Sequence, residues 1–202
     1  MGIVSIKNKT KSGSLLVGNT FFLPTSYESI QTVTVGSGGQ ANVEFTSIPA
    51  TFTHLQVRCT AQTNRGTYAI DEASINFNSD TTSLYAQHYM YGDGSSVGAN
   101  SGANETRLVT GSGNFGTSTG SNFGVAIIDI LDYANTNKFK TARILAGTDC
   151  NGTVSGFGGR MNLASGLYGS TNAITSIKLI PLNGTLFTQY SSFALYGIKV
   201  AS

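Results

Sequence analysis

The acidic side chains that could act as general acids or bases are few and scattered. The chain has ten Asp and Glu residues, and the only close pairs are Asp71 with Glu72 and Asp129 with Asp132. A glycosidase needs two carboxylates that face one sugar cleft, usually beside aromatic platforms. Because the sequence contains no Trp and the other acids are dispersed, the pattern predicts a protein without catalytic residues.

Two glycine-rich segments match motifs of enzymes but lack the context that those motifs require. Residues 111–116 match GxGxxG and residues 116–120 match GxSxG. Both motifs need a strand before them and a helix after them, whereas residues 117–122 are poor helix formers. The two possible histidine bases are His54, on the polar face of a predicted strand, and His88, which we expect to be a hydrogen-bonded packing residue.

The two cysteines, Cys59 and Cys150, give no metal or redox pattern. There is no CxxC and no group of Cys and His with zinc spacing. One disulfide is possible, but two free thiols are favoured because Cys59 lies among apolar residues, where a lone Cys behaves as a small hydrophobe. The sequence therefore predicts neither a metal nor a cofactor.

The composition is that of a β-rich domain with a nearly uncharged surface. Only 11% of the residues are charged, 40% are hydrophobic and 25 are Gly. No apolar run reaches the ~18 residues that span a membrane, and no secretory signal pattern is visible at the start. The aromatic content, 9 Tyr and 11 Phe, is too high for a disordered chain.

Short segments of alternating polarity predict the strands of this domain. Residues 53–60 alternate regularly, which is typical of a strand with one buried face. Residues 125–131 are apolar on both faces and predict a central strand. In residues 190–200 the apolar phase changes, which predicts a bulge near Gly197. With Gly and Asn turns between about ten such segments, the sequence predicts an all-β, antiparallel two-sheet sandwich of jelly-roll type.

The start of the chain differs from the rest in charge. Residues 1–11 carry three lysines and no acid, whereas the remainder of the chain has nine basic and ten acidic residues. We expect residues 1–27 to form an arm that docks on a partner, with a solvated tail as the alternative, and residues 28–202 to form the sandwich. Three lysines are too few for nucleic-acid binding. The candidate docking residues are Lys7, Lys9, Lys11, Leu15, Leu16 and Val17.

Several segments resemble, in the same order, those of a family of tailed-bacteriophage virion proteins. Residues 45–55 (FTSIPATFTHL) are similar to a strand, Ile-Pro turn and strand of that family. The likeness continues through residues 63–65, 75–80, 92–96, 128–133, 174–179 and 189–198, so that it covers roughly residues 28–200. The resemblance implies a structural, non-enzymatic protein of the virion, assembled in the bacterial cytoplasm.

The resemblance leaves the position in the particle open. Tail or fibre association is favoured, and a head decoration or cement protein is the alternative. A carbohydrate- or receptor-binding module is a further alternative, in which Tyr89, Tyr91 and Tyr133 would stack on sugars. The family and the near-neutral body also imply other virion proteins as partners and a homo-oligomer, with a trimer favoured.

Overall fold

The computed structural model describes residues 15–17, 20–22, 26–66, 68–154 and 157–199, and these residues form sixteen strands and no helix. In chain order the strands are β1 (Leu15–Val17), β2 (Thr20–Phe22), β3 (Tyr27–Thr34), β4 (Val43–Phe45), β5 (His54–Thr63), β6 (Ile70–Asp71), β7 (Ala73–Phe77), β8 (Tyr85–Gly92), β9 (Val97–Glu105), β10 (Leu108–Val109), β11 (Phe115–Thr117), β12 (Gly124–Leu131), β13 (Lys140–Val154), β14 (Phe157–Tyr168), β15 (Ile177–Pro181) and β16 (Ser192–Ile198).

The strands form a large and a small antiparallel sheet. The large sheet has the order β3-β16-β5-β12-β13-β14-β8-β9, and the small sheet has the order β10-β7-β15-β4. At one end of β5, β11 pairs with it in parallel and pairs with β6 in the antiparallel sense. The hairpin of β1 and β2 forms a separate two-stranded sheet. The predicted all-β, two-sheet class is therefore confirmed.

One hydrophobic core lies between the two sheets. The inward side chains of β12, Ala126, Ile128 and Ile130, are buried there with those of the neighbouring strands. The small sheet contributes Phe77 and Leu179 among others. Alternation along each strand sends every second side chain into this layer, so the core follows from the period of two in the sequence.

An aromatic cluster closes one end of the core. The Tyr85 and Tyr168 rings stack with centroids 4.9 Å apart, and the Phe77 ring packs against both. The buried hydroxyl groups are satisfied, because Tyr85 Oη donates to the carbonyl of Asp80 at 3.0 Å and Tyr168 Oη donates to Asp80 Oδ2 at 2.8 Å. Polar atoms of the turn at Asp80 thus allow phenols to be buried.

A bulge lies near the predicted position but on β3 rather than in the last strand, and the predicted change of phase in the last strand is wrong. The register shift lies between Leu195 and Tyr196 opposite β3, where Ile30 is the additional residue. Burial along β16 alternates without interruption, with Gly197 on the inner side. The Phe52 ring fills the space beside Gly197, where an added Cβ would lie 2.3 Å from Phe52 Cγ. The Phe52 ring, from the loop between β4 and β5, therefore takes the core position that a larger residue at 197 would fill.

The preference for free thiols is confirmed. Cys59 and Cys150 are both buried and unlinked. Burial raises the pKa of Cys59 to about 12 and also raises the pKa of Cys150. Because the thiolate is the reactive form, neither cysteine is suited to nucleophilic chemistry at neutral pH.

Candidate functional site

The central strand β12 is apolar on both faces, as the sequence predicts, but only one of its faces is covered. Val125 and Ile127 point away from the small sheet and retain 52% and 36% of their accessible surface. The strand is central in the large sheet, between β5 and β13. A strand with two apolar faces is typical of a sheet that is covered on both sides. The described chain supplies the cover for one side.

Cross-strand pairing joins these residues into a continuous surface. Ile127 pairs with Leu145, Leu145 with Leu163, and Leu163 with Met90, so one apolar row crosses four strands. A parallel row runs from Val125 through Gly147 to Met161 and on to Val97 on β9. We call the whole surface the outer apolar face and define it by nine exposed residues: Met90, Val97, Val125, Ile127, Leu131, Leu145, Met161, Leu163 and Leu167.

A polar row crosses the outer apolar face. It contains Asp129, Arg143, Ser165 and His88, which follow one another on adjacent strands. Asp129 Oδ1 accepts a hydrogen bond from Gln56 Nε2 at 2.7 Å. The expectation that His88 is a packing residue is wrong, because its side of β8 belongs to this uncovered face and His88 is exposed.

Two hollows lie on the β8–β9 side of this face. One, of about 710 Å³, is lined by Met90, Val97, Leu145, Met161 and Leu163 among others. Its neighbour, of about 520 Å³, contains the exposed polar atoms of His88 and Arg143. Both are open and mostly apolar, so this surface is suited to contact with another apolar surface rather than to proton transfer.

The pair Asp71 and Glu72 is a structural cluster. Asp71 is fully buried, and its two carboxylate oxygens accept hydrogen bonds from Thr63 Oγ1, the Glu72 amide, the amide and side chain of Asn183, and the Gly184 amide, at 2.8–3.2 Å. Burial raises the pKa of Glu72, and the nearby Asp71 carboxylate adds to this rise. These contacts connect two loops and leave no Asp71 oxygen directed at a cleft.

The second pair, Asp129 and Asp132, is likewise engaged in local contacts. Asp132 forms an ion pair with Lys138, whose ammonium holds the pKa of Asp132 below its usual range. The amide of Asp132 donates to His54 Nδ1 at 3.0 Å. Within the described ranges, no group of three or more His, Cys, Asp and Glu side chains is placed to hold a metal ion.

The structure describes three of the six candidate docking residues of the arm. Lys7, Lys9 and Lys11 are outside the described residues. Leu15, Leu16 and Val17 form β1, which pairs with Thr20–Phe22. Tyr27, the last residue of the expected arm, begins β3 and pairs with Ile198.

The three tyrosines considered for sugar binding are not assembled into one exposed platform. Tyr133 is fully buried and its hydroxyl donates to the carbonyl of Pro49, so its ring cannot stack on a ligand. Tyr89 is half-buried against the core, and its hydroxyl accepts from Asn100 Nδ2 at 3.2 Å. The Tyr91 ring lies over Gly98 and under the guanidinium of Arg160, whose Cζ is 4.4 Å from the ring centroid.

The outer apolar face was not foreseen as a site. Its signal was present in residues 125–131, and again in Leu145 and Leu163, which are apolar at positions that alternate with buried ones. The sequence predicts a central strand over residues 125–131, but its periodicity does not tell which chain covers the second apolar face.

Comparisons with protein-family models, with curated proteins and with solved structures find no match to this chain. Among the described residues there is no helix that is long and apolar enough to cross a membrane. The features that bear on function are therefore the outer apolar face and the resemblance in the sequence.

Proposed function

We propose that this protein is a non-enzymatic structural subunit of a tailed-phage virion, associated with the tail or a fibre. Residues 1–27 anchor the subunit, and the sandwich presents surfaces for assembly or host adhesion. The observation that carries the proposal is the outer apolar face. Soluble monomers rarely expose a large contiguous apolar patch, and such a patch typically marks an interaction surface.

The architecture supports an assembly role. An antiparallel sandwich is rigid, and this one has a near-neutral body that repels its own copies only weakly. The close carboxylate pairs and both cysteines serve the fold rather than a reactive cleft. The ordered resemblance over residues 28–200 supplies the phage context, and it leaves head decoration as the alternative location.

The test is to locate the protein in purified particles of the phage whose genome carries this sequence. Mass spectrometry of gradient-purified particles should detect the chain in many copies, and immunogold labelling should mark the tail or the fibres. Labelling of the head would establish the decoration alternative. A chain abundant in infected cells but missing from purified particles would refute the proposal.

The same protein provides a test of the sugar-binding alternative. A glycan array or a pull-down with host polysaccharide should give no binding above background, because Tyr133 is buried and the rings of Tyr89 and Tyr91 lie against neighbouring side chains. Saturable binding that a Tyr91→Ala variant loses would favour the receptor-binding module instead.

A further inference from the structure

We propose that the outer apolar face is the contact between two copies of this chain, packed face to face about a two-fold axis that runs along β14. The inference names the partner at the surface on which the proposed function rests. It follows from the arrangement of the residues on that face, from its size and from its chemistry.

The residue pattern is nearly symmetric about β14. Leu163 on β14 has Leu145 on one side and Met90 on the other, and these are followed by Ile127 and Ala99. A two-fold axis along β14 places Leu163 against its own copy and each Leu145 against the other copy's Met90. Side chains of similar volume therefore meet at these positions, whereas the outermost Ile127 meets the smaller Ala99 of the other copy.

The neighbouring row has the same symmetry. Met161 on β14 has Gly147 on one side and Gly92 on the other, and Val125 and Val97 follow at equal distances from the axis. The axis brings glycine opposite glycine and valine opposite valine. A partner of unrelated shape has no reason to match this pattern, whereas a second copy matches it by symmetry.

The size of the face suits a stable pair. Five strands, β12, β13, β14, β8 and β9, with four outward positions each, cover about 24 Å by 27 Å, or ~650 Å². A standard interface buries roughly 800 Å² of accessible surface on each partner. Side chains around the edge of the face would contribute the remaining area. Two sheets that pack in this way lie about 10 Å apart.

The chemistry of the face also favours a copy of the same chain. Apolar side chains dominate the face and its charged residues, Asp129 and Arg143, are confined to the crossing polar row, and homodimer interfaces are more apolar than those between unrelated proteins. In the crossing polar row, the axis places Ser165 opposite itself and Arg143 opposite the other copy's His88. Carboxylates do not oppose one another in this arrangement.

The experiment is sedimentation of the full chain at tens of micromolar, for the wild type, Leu163→Asp and Tyr190→Asp. The wild type should sediment at twice the chain mass of 21.1 kDa. Leu163→Asp should raise the dissociation constant at least ~100-fold, because it brings two carboxylates together on the axis in place of two apolar side chains. Tyr190 is 72% exposed but lies outside the face, so Tyr190→Asp should leave the dimer unchanged.

A cross-link provides a second readout that does not depend on weakening the contact. A Leu163→Cys variant should form a disulfide-linked dimer under mild oxidation, because both sulfurs project toward the axis from sheets that lie about 10 Å apart and therefore come close together. The native Cys59 and Cys150 are buried and should not react. The same treatment of a Tyr190→Cys variant should give no specific pair.

Three results would overturn the inference: a monomeric wild type, a dimer that Leu163→Asp leaves intact, or a trimer about a three-fold axis, which is the oligomer that the sequence resemblance favours. An intact Leu163→Asp dimer would place the contact elsewhere, for example at the free edge of β9. A protein that is monomeric in solution yet present in particles refutes this contact and leaves the proposed function standing. A protein that dimerises in solution but is missing from particles refutes the proposed function and leaves this contact standing.

Discussion

At the scale of single residues, the buried carboxylate of Asp71 connects its own loop to the loop at Asn183 and Gly184. We expect Asp71→Asn to lower the free energy of unfolding by about 3–5 kcal/mol, because an amide nitrogen would replace an acceptor oxygen among N–H and O–H donors. Urea denaturation measures this loss. The exposed Glu105 provides the control, since Glu105→Gln should change stability by less than ~0.5 kcal/mol. A loss below ~1 kcal/mol for Asp71→Asn would show that the cluster contributes little.

Tyr168 makes stability depend on pH in the alkaline range. Burial, with the hydrogen bond to Asp80, raises the pKa of Tyr168 to about 12, whereas the phenol of an unfolded chain titrates near 10. Between these values the unfolded state loses the proton first. The stabilising contribution is therefore complete below about pH 10 and is lost as the pH rises toward 12.

The Tyr168→Phe variant tests this linkage. Its melting temperature should fall less steeply than that of the wild type when the pH is raised from about 9 to about 11. Some decline should remain, because burial also raises the pKa values of Tyr85 and Tyr133. Parallel curves for the two proteins would mean that the Tyr168 proton is not linked to folding.

At the scale of the element, β16 depends on a residue without a side chain. We expect Gly197→Ala to cost about 1–3 kcal/mol, because the added Cβ would overlap the Phe52 ring and a packed core resists added volume. The double variant with Phe52→Leu should recover part of the loss. Thermal unfolding of the single and double variants gives the coupling between the two positions. If the losses of the two single variants simply add in the double variant, the Phe52 ring does not limit the size of the side chain at position 197.

Strands of alternating polarity such as β5 and β12 could be predicted from the sequence, whereas β9, a run of small and polar residues at 97–105, could not. The partners of the strand faces could not be predicted either. The prediction of a central strand at residues 125–131 is confirmed. A run of mostly apolar residues with several β-branched side chains is typical of a strand in the middle of a sheet. The same residues gave no sign that one face lacks a cover among the residues that the structure describes. His88 was misplaced for this reason, since its face was expected to be packed.

The polar contacts of the loops could not be predicted at all. Asp71 accepts hydrogen bonds from residues more than 100 positions away in Asn183 and Gly184. No periodic pattern connects these loops, and only the tertiary fold brings them together. The exact position of the bulge on β3 depends likewise on β16, which is far away in the sequence.

At the scale of the whole molecule, we expect the arm to be needed for incorporation into particles and the sandwich to fold without it. A variant that begins at Ser26 keeps Tyr27, whose ring stacks on Tyr196 with centroids 4.9 Å apart. We expect its melting temperature to stay within a few degrees of the wild type, because the sandwich core contains only residues beyond this point among those described. Differential scanning calorimetry measures this directly.

The same truncation should abolish incorporation into particles, because the apolar segment at Leu15–Val17 and the three lysines would be removed together. Complementation of a phage that lacks the gene, followed by quantification of the chain in purified particles, measures the effect. Incorporation at normal copy number would show that the arm is a solvated tail. A truncated protein that does not fold would instead place the arm in the sandwich core.

The position of β16 between β3 and β5 determines the order in which the molecule can fold. The two strands that flank β16, β3 and β5, are synthesised well over 100 residues before it. Neither can form its hydrogen bonds with β16 until that strand has been made. The neighbouring run from β12 through β13 to β14, in contrast, closes by local hairpins. Because contacts between distant segments form slowly, the β3 edge should be the last part of the large sheet to form. During synthesis, β5 therefore presents an open edge until β16 pairs with it, and this interval is when misassembly between nascent chains is most favoured.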